Sequence, residues 1–243
     1  METVSPSGKR PLKPATPSRE TRIAGCLFEL QHVNVFYGQN PALRDITLRI
    51  QEGETVAVIG PSGAGKSTLL NQLYDMRPDD CAFVHQQYAL VPQLSVFHNI
   101  YIGRLDRRAT WYNLLNLIKP RQQVIDEVIP ILDTLGMSDN LSARVGALSG
   151  GQQQRVAVGR AMYRGGRILL ADEPVSSIDP LQGAAILDLI VNTGKTVVMA
   201  LHSVPFARRF TERIIGLCAG RIRFDLPPAQ LTQELVDELY LTC

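Results

Sequence analysis

The sequence predicts an α/β fold built on a parallel sheet, and three observations carry that expectation. Short apolar runs at residues 55–59, 168–171 and 196–201 have the length and composition of strands buried on both faces. Stretches with apolar residues at helical spacing, around 121–135, 151–164 and 180–192, alternate with them. A glycine-rich turn joins the first apolar run directly to a helical pattern at 66–75, the order strand, loop, helix.

The elements follow in chain order. Residues 1–24 are rich in Pro, Ser, Thr and basic side chains with little to bury, the composition of a solvated, disordered tail. Residues 27–37 mix β-branched, aromatic and polar side chains like a strand, and residues 43–50 set Ile46, Leu48 and Ile50 on one face of a second. Two early strands are expected from these patterns. Near the end, Pro227 and Pro228 precede Leu231, Leu235 and Leu239, an i, i+4, i+8 stripe that predicts a packing helix. No repeat of solenoid period is present.

With 243 residues and 45% hydrophobic composition, the chain can bury one large core, and residues 25–243 are expected to form one domain. A formal net charge of +2 asks for no nucleic-acid partner. Lys9, Arg10 and Lys13 are followed by no apolar run, so no secretory signal is expected here, and no apolar stretch nears the roughly 20 residues that span a bilayer. Cys26, Cys81, Cys218 and Cys243 have no metal-ligand spacing and are expected to be thiols in a reducing compartment.

The chemistry is carried first by Gly60, Pro61, Ser62, Gly63, Ala64, Gly65, Lys66 and Ser67, with Thr68 next, a match to G-x-x-x-x-G-K-[S/T] between a predicted strand and a predicted helix. The glycines let successive N–H groups point inward, and the helix start adds its positive end, so fixed dipoles receive a polyphosphate. Lys66 is placed to reach the β and γ phosphates, and the Ser67 hydroxyl to bind Mg2+. A second element, Asp172 and Glu173, leaves the apolar run at 168–171. Two adjacent carboxylates there repel each other and lose solvation unless a cation and a water share the space. Asp172 is expected on the metal side, and Glu173 as base or positioning group for the attacking water.

Leu148-Ser149-Gly150-Gly151-Gln152-Gln153-Gln154-Arg155 narrows the field. Read locally, Ser149 and Gln152 make a capping box that opens a helix. The string also resembles the signature motif of the ATP-binding cassette family, and the resemblance extends over residues 27–226. It implies a P-loop NTPase core, a small, trimmed antiparallel β lobe and an α-helical signature lobe at about 93–162. It further implies that Ser149, Gly150, Gly151 and Gln152 face the γ-phosphate held by a second copy. Tyr37 resembles the aromatic that stacks on adenine, and Gln86, with Gln87 as fallback, the glutamine that meets metal and water. Ser176 to Asp179 resembles the loop exchanged between partner cassettes, although Asp179 is equally an N-cap for a helix at Pro180. His202 resembles the switch histidine at the γ-phosphate. The implied cofactors are ATP and Mg2+. The implied partners are a second copy, membrane permease subunits and a separate substrate-binding protein, with no nucleic acid, at the cytoplasmic face of the inner membrane.

Residues 94–105 and 110–115 resemble the helical lobe of phosphonate-type importer ATPases, which makes phosphonate or a related phosphorus oxoanion the expected cargo. Trp111, Leu114, Leu115 and Leu117 fit either the inward face of a helix or an apolar surface for docking. Two departures stand out. The stretch from Lys66 to Gln86 is too short for the hairpin the family often carries, and Gly159 stands within a helix, where glycine costs about 1 kcal/mol. A non-transport switch protein of the family, or an exporter ATPase, shares these catalytic motifs.

Overall fold

The computed structural model describes residues 25–243 apart from Gln87, Ser177 and Thr242; the expected tail at 1–24 lies outside them. A two-stranded antiparallel sheet, β1 (Cys26–Tyr37) and β2 (Asn40–Gln51), leads the chain, with Phe28 opposite Ile50 and Leu30 opposite Leu48. The second sheet holds β3 (Thr55–Ile59), β4 (Cys81–Val84), β5 (Ile168–Asp172), β6 (Thr196–Ala200), β7 (Arg213–Cys218) and β8 (Arg221–Leu226), in the order β4-β5-β6-β3-β7-β8. Five of these strands are parallel, as the apolar runs predict, but β8 is antiparallel to β7. Only Ala219 and Gly220 separate the two, at φ 47° and 76°, and a two-residue loop with both residues at positive φ can only return the chain antiparallel.

Alternate residues of the central strands feed two cores. Val56, Val58, Leu170 and Val198 meet the leucines of α1 (Lys66–Met76) and the inner face of β1 and β2. Ala57, Ile59, Leu169 and Val197 join the core shared with the helical lobe. That lobe contains α2 (Val96–Tyr101), a 3-10 turn (Ile102–Arg107), α3 (Thr110–Ile118), α4 (Gln122–Thr134) and α5 (Gly150–Arg164). The period-2 alternation of a strand buried on both faces is what divides one apolar run between two layers.

The short stretch after α1 has the predicted effect. The chain leaves the helix at Met76 and enters β4 at Cys81, so among the described residues the antiparallel lobe is a single hairpin. Gly159 has a packing reason that propensity does not reveal. A Cβ there would lie 2.7 Å from Leu135 Cδ1 and 3.2 Å from Ile100 Cδ1, so its cost to the helix is set against close approach of α5 to its neighbours.

The C-terminal stripe is displaced from its expected setting. After α6 (Pro180–Val191) and α7 (Val204–Phe210), a 3-10 turn (Pro228–Gln230) intervenes, and α8 runs Gln233–Leu241. Leu231 is buried before that helix begins, while Leu239 is buried within it. The cysteine expectation needs a larger correction. Cys81 is a buried thiol, pushed up to about 12 by burial, and Cys26 is a half-buried thiol, but Cys218 and Cys243 form a disulfide. They are 25 residues apart in sequence, a loop whose closure is worth about 3–4 kcal/mol against the unfolded chain. Spacing cannot reveal that pair, because α8 must first fold back beside the end of β7.

Candidate active site

The turn between β3 and α1 leaves no room for side chains at its two ends. A Cβ on Gly60 would sit 2.0 Å from the carbonyl oxygen of Leu217, and one on Gly65 would sit 2.7 Å from that of Ala42. Gly65 (φ 106°) is also the N-cap of α1, with no side chain supplying a cap and no acid in the first turn. The N–H groups at the helix start are therefore left for an anion.

Lys66 is buried, 5% exposed, and its Nζ donates to the carbonyl oxygens of Gly60 at 2.8 Å and Pro61 at 3.0 Å. Burial holds its pKa below the usual lysine range, while the charges of Glu173 and Asp172 oppose that shift. The ammonium is thus stretched across the mouth of the turn, where a phosphate oxygen can replace the carbonyls.

The two carboxylates differ in environment. Burial raises the Asp172 pKa and the neighbouring Glu173 charge adds to it; a hydrogen bond from Ser67 and the charges of Lys66 and His85 oppose them. Asp172 Oδ1 is buried without a hydrogen-bond partner. Such an oxygen beside a serine hydroxyl is the donor chemistry that suits a hard divalent cation. Glu173 sits just beyond β5 at φ 49°, an uncommon conformation for a residue with a Cβ. Its backbone N–H donates to the carbonyl of Ala200 at 3.1 Å, which anchors the turn against β6.

Both oxygens of that carboxylate are engaged. Gln86 Nε2 donates to Glu173 Oε2 at 2.7 Å, and the His202 ring pairs through Nε2 with Oε1. Gln86 follows β4, Glu173 follows β5 and His202 follows β6, so the C-terminal edge of three adjacent parallel strands assembles the cluster. Gln87 lies outside the described residues.

The remaining predicted residues stand apart. Ser149 caps α5: its hydroxyl accepts from Gln152 N–H at 3.3 Å, and its own N–H donates to Gln152 Oε1 at 3.0 Å. Gly150 is open, whereas a Cβ on the buried Gly151 would strike Gln182 Oε1 at 2.1 Å. Among the described residues, no hydrogen bond joins this helix start to the turn at Gly60–Thr68. Tyr37 projects half exposed from the end of β1. Asp179 is an N-cap, accepting from Leu181 and Gln182 N–H, each at 3.0 Å, ahead of Pro180.

The sequence profile of the ABC transporter family matches residues 43–176, which include the glycine-rich turn after β3, the capped helix start and the paired carboxylates. The chain belongs to the ABC transporter family. Among its relatives, the phosphonates import ATP-binding protein PhnC of Rhizobium johnstonii is 38% identical, the match covering 89% of this chain and 87% of that one. The PhnC 2 protein of Roseobacter denitrificans is 36% identical, covering 84% and 85%. Of solved structures, the dimeric cassette MJ0796 is 30% identical with TM-score 0.69, covering 82% of this chain and 98% of that one. The same cassette in a post-hydrolysis state bound to ADP and Pi gives TM-score 0.66.

One residue of this ABC ATPase that motif reading passed over shapes the site from a distance. Arg160, nearly three turns into α5, donates to the carbonyls of Tyr88 and Ala89, both at positive φ, and so holds the loop that carries Gln86. No local signal marks it, because an arginine on a helix is ordinarily a solvated one. The same loop borders a cleft of about 350 Å3 lined by Asn71, Tyr74, His85, Ile102 and Arg160.

The buried, orphaned Asp172 oxygen yields a testable consequence. Removing a charge that burial disfavours should raise the melting temperature of nucleotide-free Asp172→Asn above that of the parent chain. The same substitution should raise the Mg2+ concentration needed for turnover at least about 10–100-fold. A lower melting temperature would mean that the carboxylate has a structural partner after all.

Proposed function

We propose that this ATPase is the Mg2+-dependent motor subunit of a phosphonate importer, working as a pair that sandwiches two ATP molecules. The observation that carries the reading is a divided site. Lys66, Ser67, Gln86, Asp172, Glu173 and His202 gather at one sheet edge, while the capped helix start at Ser149 lies open and unconnected to them. A second copy related by a two-fold axis brings the missing donors to each turn. The dimeric relative MJ0796 supports that arrangement.

In this reading residues Gly60 to Thr68 hold the triphosphate, and Tyr37 stacks on the adenine. Ser67, Asp172 and the oxygen of Gln86 would hold Mg2+, which neutralises phosphate charge when bound. Glu173 takes a proton from water as the water oxygen bonds to the γ-phosphorus, and the β–γ bridging oxygen leaves with ADP. His202 and Gln86 orient that carboxylate. Ser149, Gly150, Gly151 and Gln152 of the partner subunit complete the anion site with N–H groups and a helix dipole.

Transport is supported by the importer names of the relatives and by the cleft beside the Gln86 loop, which offers a permease a contact that moves with the catalytic glutamine. Among the described residues no helix is long and apolar enough to cross a membrane, so this reading needs separate permease subunits and a binding protein to select cargo, with the cassette at the cytoplasmic face of the inner membrane. The test is co-purification of tagged protein from detergent extracts. A multispan membrane protein is the expected companion; a soluble or nucleic-acid companion would favour a non-transport member of the family.

A further inference from the structure

Helix α3 is inside out. Its buried positions are Asn113 and Asn116, and its exposed positions are Trp111 (64%), Leu114 (59%), Leu115 (46%), Leu117 (36%) and Ile118 (76%). The polar face is fixed to the lobe by specific bonds. Tyr101 OH donates to Asn113 Oδ1 at 2.8 Å, Asn113 Nδ2 donates to the Leu105 carbonyl at 2.8 Å, and Arg121 N–H donates to Asn116 Oδ1 at 3.0 Å. These buried amides cannot exchange places with the leucines without losing their partners, so the apolar face is held outward.

Trp111, Leu114, Leu115 and Ile118 fall at i, i+3, i+4 and i+7, a single stripe along one side of a nine-residue helix. Cations bracket it. Arg107 and Arg108 precede the helix, Lys119 and Arg121 follow it, and no acidic residue occurs from Arg107 to Ile125. Arg108 is neutralised by Glu127, while the Arg121 guanidinium lies over the Tyr112 ring at 4.9 Å and Lys119 is exposed.

We propose that the outward face of α3 seats in the headgroup and upper acyl region of an anionic lipid bilayer, lying flat with its basic ends on lipid phosphates. The helix is far too short to span, but an amphipathic segment with a tryptophan and leucines on one side and cations at its rim is suited to an interface. Charge complementarity favours lipid as the occupant, since Arg107, Lys119 and Arg121, left once Arg108 is paired with Glu127, match a plane of phosphates. Five side chains fall well below the 20–30 residues that each partner contributes to a stable protein interface, which argues against a second copy. The proposal rests on the transport reading only for placing a membrane near the cassette.

Trp111 is the one tryptophan of the 243-residue chain, so its emission reports this helix alone. Purified full-length protein is titrated with vesicles of phosphatidylcholine and phosphatidylglycerol, with and without bromine-labelled acyl chains. The expected result is a blue shift of Trp111 and its quenching by the bromines, both weaker on pure phosphatidylcholine. Lys119→Glu and Arg121→Glu should each weaken partitioning at least about fivefold. Leu114→Ser with Ile118→Ser should abolish the shift while leaving ATP turnover of the soluble protein unchanged. Unshifted Trp111 emission with anionic vesicles, for protein folded by circular dichroism, overturns the proposal. So does vesicle binding without bromine quenching, or a shift produced only by adding the detergent-solubilised permease. None of these outcomes depends on which protein co-purifies, so failure here and failure of the transport reading are separable.

Discussion

Replacing Glu173 by Gln is expected to cut ATP turnover by about 10²–10⁴-fold while leaving ATP affinity close to that of the parent protein. The amide keeps the size and one acceptor of the carboxylate, so the cluster with Gln86 and His202 can persist, but it cannot accept the proton of an attacking water. In the proposed cycle hydrolysis lets the sandwiched pair part, so the arrested protein should accumulate as an ATP-bound dimer. Single-turnover hydrolysis, nucleotide titration and size-exclusion chromatography in ATP measure the three quantities. A variant that remained monomeric in ATP with normal turnover would remove Glu173 from the chemical step.

Lys66→Ala should instead act on binding, lowering nucleotide affinity by about 10–150-fold, the worth of charge-assisted hydrogen bonds of about 1.5–3 kcal/mol. In the nucleotide-free turn the ammonium is satisfied by the Gly60 and Pro61 carbonyls, and burial already presses its pKa downward. Removing it should therefore leave the fold intact and empty the site of its strongest donor. Lys66→Arg is not expected to restore affinity, because a planar guanidinium is wider than the point charge that fits between two carbonyls. Titration with a non-hydrolysable nucleotide, together with a melting curve to show folding, decides the matter. Affinity within a few-fold of the parent would mean that the backbone N–H groups alone hold the phosphates.

The sequence by itself determined the fold class, the family and the place of the glycine-rich turn between strand and helix, because each is written in contiguous residues. Glycines that tolerate positive φ, a lysine at a helix start and the Ser149–Gln152 capping box act through neighbours within a few positions, where chain order is physical proximity. Strand interiors were legible for the same reason: a parallel strand buried on both faces must be apolar throughout. Only the tertiary structure decided the rest. That Glu173 would be held by Gln86 and His202, 87 and 29 residues away, depends on three strands lying side by side. The antiparallel return of β8, the disulfide between Cys218 and Cys243 and the packing need at Gly159 likewise depend on what is brought near, not on what is adjacent. The outward apolar face of α3 is the sharpest case. Periodicity locates the stripe but does not orient it; the orientation is seen only in the bonds of Tyr101, Leu105 and Arg121 to Asn113 and Asn116, which keep those amides buried and paired.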